Sequence, residues 1–168
     1  MEKGKGMRDY LRSLYRYTFW ADDQLFDCVA QLTEAQLRQD QVYSIGSVWV
    51  QCHHLFRVEY WWFLFLRTGT MPAKWESDEE SLPWLWAQWA SNRDAILAYL
   101  DGITDAELQR LVKPPHWEAG EAPIAVWQAM LQVANHSTDH RAQILRLLFD
   151  LGAPTFEQDY LNYLDSLM

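Results

Sequence analysis

The spacing of apolar residues most constrains the fold of this chain, because they recur every three or four positions through four long segments. A period near 3.6 places the apolar side chains of each segment on one face of an α-helix. The segments run from about 8 to 31, 47 to 67, 81 to 102 and 124 to 151, and none alternates as a convincing β-strand would. The pattern predicts an all-α four-helix bundle.

Residues that start and stop helices support these limits. Ser81 can cap the third helix, with Pro83 in its first turn. Short extra helices are expected after Thr33, which can form a capping box with Gln36, in TDAELQR, and in the C-terminal FEQDYLNYLDSL. The N-terminal residues and the segments KWESDEE and LVKPPHWEAGEAP are expected to be irregular. The long helices should stop at glycines and prolines, namely Gly69, Pro72, Gly102, Gly152 and Pro154.

Length and composition favour one globular domain over residues 1–168. Hydrophobic residues make up 49% of the chain, too many for disorder, and no apolar run is long enough to predict a membrane span. A secretory signal is not expected after MEKGKGMRDY, and two cysteines, Cys28 and Cys52, suit the reducing cytoplasm better than a disulfide scaffold. The net charge of -9, spread along the chain, opposes a nucleic-acid partner.

Aromatic residues are abundant, with ten tryptophans, eight tyrosines and seven phenylalanines. Such side chains concentrate in cores and interfaces. They predict a bulky core, and they are also compatible with an aromatic-lined pocket or a subunit interface. Trp20, Trp61 and Trp62 are candidates for an interface, with core packing as the alternative.

The segment VANHSTDHRAQI carries two histidines four residues apart, His136 and His140. This spacing places both rings on one helical face, as in helices that offer two nitrogen ligands to a divalent metal ion. Exposed or hydrogen-bonded core histidines are the alternative. A third ligand is expected from the adjacent His53 and His54, between which periodicity does not choose. Two residues are weaker candidates for a ligand. Cys52 is expected to be a small buried apolar side chain, and His116 is expected in a loop.

Three stretches of the chain together resemble the DinB family, including its YfiT-like group. NHSTDHRAQI is similar to the family's N-H-x-x-x-H-R-x-Q segment on the last bundle helix. HLFRVEYWW is similar to its H-I/L-x-x-x-E-aromatic pattern on the second helix, which selects His54 and places Glu59 five residues later. YTFWADDQLFDCVAQL resembles the first helix, with Asp22 where asparagine is common, and GAPTFEQDYLNYL resembles the family's ending.

The resemblance implies a four-helix bundle that holds a divalent metal ion, zinc or nickel, through His54, His136 and His140. Three protein ligands leave a coordination position open, which is typical of a reactive site. The second ring nitrogen of each ligand is expected to meet a carboxylate or another acceptor. Four candidates for this role are Asp139, Gln143, Glu59 and Asp22. Arg141 is expected to form a salt bridge with an acid on another helix.

The resemblance also implies a function. It favours a thiol S-transferase that joins a low-molecular-weight thiol, such as bacillithiol or mycothiol, to an electrophilic small molecule in an aromatic pocket. The alternatives are a metal-dependent hydrolase and a non-catalytic, metal-stabilised binding module of a stress response. A homodimer is expected in each case.

Overall fold

A computed structural model describes residues 6–71 and 81–168 of the chain. Within these residues the protein is an all-α helical bundle, and its long helices end within two residues of the predicted limits. Residues 1–5, Pro72 and the KWESDEE segment lie outside the described residues. The elements, in chain order, are α1 Met7–Val29, α2 Glu34–Arg38, α3 Val48–Thr68, α4 Leu82–Gly102, α5 Asp105–Gln109, β1 Leu111–Val112, β2 Ile124–Ala125, α6 Val126–Asp150 and α7 Tyr160–Asp165.

The predicted helix caps are confirmed. Thr33 and Gln36 form the capping box that starts α2, and the Ser81 hydroxyl accepts a hydrogen bond from the Trp84 amide at the start of α4. Gly69 follows α3 in a left-handed conformation, with φ of 73°, which glycine adopts without steric cost. Among the described helices, none is long and apolar enough to cross a membrane.

The sequence contains no convincing strand, but the structure has one short pair of strands among the described residues. Leu111 and Val112 pair antiparallel with Ala125 and Ile124, so two-residue strands bracket the connection that was expected to be irregular throughout. Strands this short contain no alternation for a sequence pattern to reveal. The pairing fixes the chain directly before α6 begins.

The apolar core forms two clusters at different levels of the bundle. α6 packs against both α1 and α3, and α4 packs against the same two helices. One cluster contains residues from the first halves of α1 and α6 and from the second halves of α3 and α4. The other contains residues from the second halves of α1 and α6 and from the first halves of α3 and α4. Fully buried members of the two clusters include Leu11, Tyr15, Phe63, Ile96 and Met130 in the first, and Leu25, Leu55, Trp89, Ile144 and Leu147 in the second.

The tryptophans proposed for an interface make contacts inside the chain. Trp20 packs against Phe156 and Tyr163, and Trp62 lies against Phe65 and Trp117. Each of these two tryptophan side chains remains half-buried. Core packing therefore accounts for part of the surface of Trp20 and Trp62, and a homodimer stays a prediction.

A layer of buried polar side chains separates the two apolar clusters. Each long helix contributes at least one member between its positions in the two clusters: Asp22 from α1, Glu59 from α3, Asn92 from α4 and Arg141 from α6, which also buries Ser137 and His140 there. These side chains occupy the interior that α1, α3, α4 and α6 enclose. The bundle thus has a polar cross-section between two apolar ones.

An ion pair joins α1 to α6 within this polar layer, as predicted for Arg141. The Arg141 Nη1 donates to Asp22 Oδ1 at 3.0 Å, and both side chains are essentially inaccessible to solvent. The other two nitrogens of Arg141 also donate, Nε to Gln158 Oε1 and Nη2 to Thr138 Oγ1, each at 3.0 Å. A buried guanidinium needs such hydrogen-bond and ion-pair partners, because an unpaired buried charge is costly.

A second buried contact joins α3 to α4. The Asn92 Nδ2 donates to Glu59 Oε1 at 3.0 Å, and Glu59 is only 1% exposed. Burial, followed by the nearby charge of Asp22, raises the pKa of Glu59 to about 8. Glu59 is therefore largely protonated at neutral pH, which avoids a second buried anion beside Asp22.

We expect Arg141→Met and Asp22→Asn each to lower the free energy of unfolding by roughly 3–5 kcal/mol, because each leaves an uncompensated partner in the interior. The double variant should lose less than the sum of the two single losses. Urea denaturation with a chelator present measures all four proteins of this cycle. A cost below about 1 kcal/mol for Arg141→Met would show that the ion pair does not hold α6 against α1.

We expect Glu59→Gln to stabilise the protein at high pH. Above its ordinary value near pH 4.5, Glu59 loses its proton in the unfolded chain but keeps it in the folded one, so the wild type loses stability as the pH rises toward about 8. The Glu59→Gln variant has no carboxyl group to titrate at this position, so its stability does not fall in this way. It should be more stable by roughly 1–4 kcal/mol at pH 8, because raising a pKa by one pH unit on folding corresponds to about 1.4 kcal/mol.

Thermal and urea unfolding of both proteins at pH 4 and pH 8 measure this difference. Equal stabilities are expected at pH 4, where the carboxyl group is protonated in both states. A variant that is less stable than the wild type at pH 8 would contradict the assignment of a neutral Glu59.

Candidate metal centre

Three histidine side chains meet on the facing surfaces of α3 and α6. α3 supplies His54, and α6 supplies His136 and His140 from successive turns. The ring centroids lie 4.3–5.1 Å apart, and one ligand atom of each ring lies within 4.8 Å of the other two. The structure thus brings together the three residues that were predicted as ligands.

The distances between ring nitrogens fit a metal ion. The Nε2 atoms of His54 and His136 are 3.2 Å apart. In a tetrahedral zinc site with Zn–N bonds of about 2.0–2.1 Å, neighbouring ligand nitrogens lie about 3.3–3.4 Å apart. The donor set fits as well, because neutral imidazoles suit zinc, nickel and similar divalent ions.

Burial keeps the three rings neutral. It lowers the pKa of His136 to about 4, with further lowering by His140 and His54, and it also lowers the pKa of His54 and of His140. Asp139 opposes the shift of His136 and His140 by its negative charge. At neutral pH the imidazoles therefore carry lone pairs that a metal ion can use.

Gln51 orients one of the rings. Its Oε1 is 3.0 Å from Nδ1 of His140, and an amide oxygen can only accept, so Nδ1 carries the proton. The other nitrogen of that ring, Nε2, is then the atom that could ligate a metal ion. Gln51 is fully buried one turn before His54 on α3. Sequence reasoning missed this residue, and its only signal was a polar side chain within an otherwise apolar helical face.

The predicted hydrogen-bond partners of the histidines are wrong. Asp139 Oδ2 accepts a hydrogen bond from Gln143 Nε2 at 3.0 Å, and Gln143 also contacts Ser44. Asp22 and Glu59 instead bind Arg141 and Asn92 in the polar layer. Nδ1 of His136 is buried with no hydrogen-bond partner among the described residues. Asp139 is exposed on α6 and acts on the rings through its charge rather than through contact.

The remaining candidates lie away from the three rings. His53 lies against Trp49 and Trp84, with ring centroids 5.2 and 6.4 Å away. Cys52 belongs to an apolar cluster, as expected, and burial raises the pKa of its thiol. His116 is exposed in the connection between β1 and β2.

Solved structures share this fold. A DinB-like protein from Bacillus subtilis aligns with a TM-score of 0.65 at 9% identity, covering 86% of this chain and 95% of that one. A conserved protein from Enterococcus faecalis aligns at 0.64 and 16% identity, covering 80% and 92%. A DinB family member from Shewanella denitrificans aligns at 0.55 and 17% identity, covering 92% and 86%.

The sequence itself also matches a family. No curated protein is significantly similar to the chain. The DinB family model, in contrast, matches residues 7–167, which is nearly the whole sequence and includes all three histidines. The chain therefore belongs to the DinB family.

Proposed function

We propose that the protein is a metal-dependent thiol S-transferase whose divalent ion is held by His54, His136 and His140. The observation that carries the metal site is the convergence of three neutral imidazoles from two helices, with Nε2 atoms of His54 and His136 at 3.2 Å. When bound, zinc or nickel would act as a Lewis acid that lowers the pKa of a thiol or water in an open coordination position.

The residues around the rings support a reactive rather than a closed site. Among the described residues, the cluster of possible ligands contains these three histidines and no further acid or cysteine. A purely structural zinc site usually has four protein ligands. The arrangement therefore favours chemistry over the alternative of a non-catalytic stress-response module.

Apolar residues border one end of the site. Val50 lies one turn before His54 on α3 and is 43% exposed. The connection before α3 reaches across to α6, where Ser44 contacts Gln143, and it exposes Tyr43 and Ile45. These side chains offer an apolar surface to an electrophilic acceptor, while Gln51 holds His140 in position.

The proposed reaction joins a low-molecular-weight thiol of the bacillithiol or mycothiol type to this acceptor. The thiol gives up its proton, its sulfur forms a bond to carbon of the electrophile, and the displaced group leaves with the bonding electron pair. A metal-dependent hydrolase is the second candidate, because the same open position suits water. A cytoplasmic homodimer is part of the proposal.

We expect His136→Ala and His140→Ala to lower the bound zinc or nickel from about one ion per chain by more than roughly tenfold, because each removes a ligand. Elemental analysis after dialysis against each metal measures this, with circular dichroism to check the fold. His53→Ala is the matched control, since this neighbour of His54 contacts Trp49 and Trp84 instead. Equal metal in the wild type and in both variants would contradict the site.

We expect the metal-loaded protein to accelerate conjugation of a thiol to monochlorobimane, followed by fluorescence. Bacillithiol, mycothiol and glutathione form the panel, and metal-treated His54→Ala gives the background rate. An acceleration of roughly a hundredfold or more over this variant with one thiol would support the transferase. No acceleration with any thiol, together with hydrolysis of a model ester that requires His54, would favour the hydrolase.

A further inference from the structure

Arg57 is a positively charged side chain next to the candidate metal centre. It follows His54 by three residues on α3, and residues at this spacing are neighbours on the helix surface. Arg57 and His54 therefore share one surface of α3, close to where a substrate would meet the three rings.

The guanidinium of Arg57 is held in place by an aromatic ring. Its central carbon lies 4.4 Å from the ring centroid of Trp61, one turn further along α3. Stacking of this kind restrains a flexible side chain and leaves its planar edge of N–H donors available. Arg57 is thus preorganised on the same helical surface as His54.

Among the residues that the structure describes, Arg57 has no acidic partner of the kind that a half-buried cation normally has. Its Nε is buried without a hydrogen bond, and no carboxylate of the described residues lies within ion-pair distance of it. Arg93, Arg110 and Arg141, in contrast, are each paired with an acid. A guanidinium without an acidic partner among the described residues leaves donors that a bound anion can use.

We propose that Arg57 binds a carboxylate of the thiol substrate, so that the thiol is an acid whose sulfur lies at the three histidines and whose carboxylate meets the guanidinium. This inference rests on the proposed thiol chemistry and adds the substrate class to it. A guanidinium presents two parallel N–H donors that match the two oxygens of a carboxylate. Arg57 is a specificity-determining residue in this arrangement, with no part in bond making.

The test compares two thiols that differ only in charge, β-mercaptopropionate and its neutral amide. Binding of each to cobalt-substituted protein is followed by the thiolate-to-cobalt charge-transfer absorption. We expect the wild type to bind the acid roughly tenfold more tightly than the amide, as one charge-assisted hydrogen bond allows. Arg57→Gln should abolish this preference, and Arg57→Lys should keep part of it.

Arg67→Gln is the matched control, because it removes an exposed arginine from the last turn of the same helix. It should leave the preference unchanged. A wild type that binds acid and amide equally, or a preference that persists in Arg57→Gln, would overturn the role of Arg57 while leaving the thiol chemistry intact.

Absence of the absorption band with both thiols would count against the proposed thiol chemistry, and a second measurement then decides the role of Arg57. The Nε–Hε NMR resonance of Arg57 is assigned by its loss in Arg57→Gln. In metal-free protein, β-mercaptopropionate at millimolar concentration should shift this resonance, and the amide should not. An unshifted resonance would overturn the inference.

Discussion

The buried ion pair between Arg141 and Asp22 is the interaction on which the site depends. Arg141 follows His140 directly, and adjacent residues on a helix point about 100° apart. The orientation of α6 that turns Arg141 toward Asp22 on α1 therefore turns His140 toward Gln51 and His54 on α3. The polar layer thus fixes both the position of α6 and the direction of its histidines.

Local chemistry explains how much of the fold was predictable. The long helices follow from apolar periodicity. Thr33 and Ser81 mark helix starts because their side chains accept hydrogen bonds from backbone amides. Gly69 marks a helix end because it adopts the left-handed conformation. The pairing of Leu111 with Ala125 was not predictable, because it joins residues that are close only after the bundle has formed.

In the candidate site, too, the features set by local sequence were predictable and those set by tertiary contacts were not. The four-residue spacing of His136 and His140 indicates a shared face without any tertiary information. The choice of His54 over His53 came from the family resemblance, since periodicity places both on partly apolar faces, and only the structure places His53 against Trp49 and Trp84. Gln51 could not be predicted as the partner of His140, because that contact spans 89 residues.

The division of the core into two apolar clusters also bears on helix alignment. If one helix slid along its neighbours by a turn, about 5.4 Å, its polar residue would enter a layer of leucine and phenylalanine side chains. That residue and its partner, Asp22 with Arg141 or Glu59 with Asn92, would then lose their contact while remaining out of water. A core of uniform apolar packing would tolerate such slippage more readily. These four residues therefore favour a single alignment of the long helices.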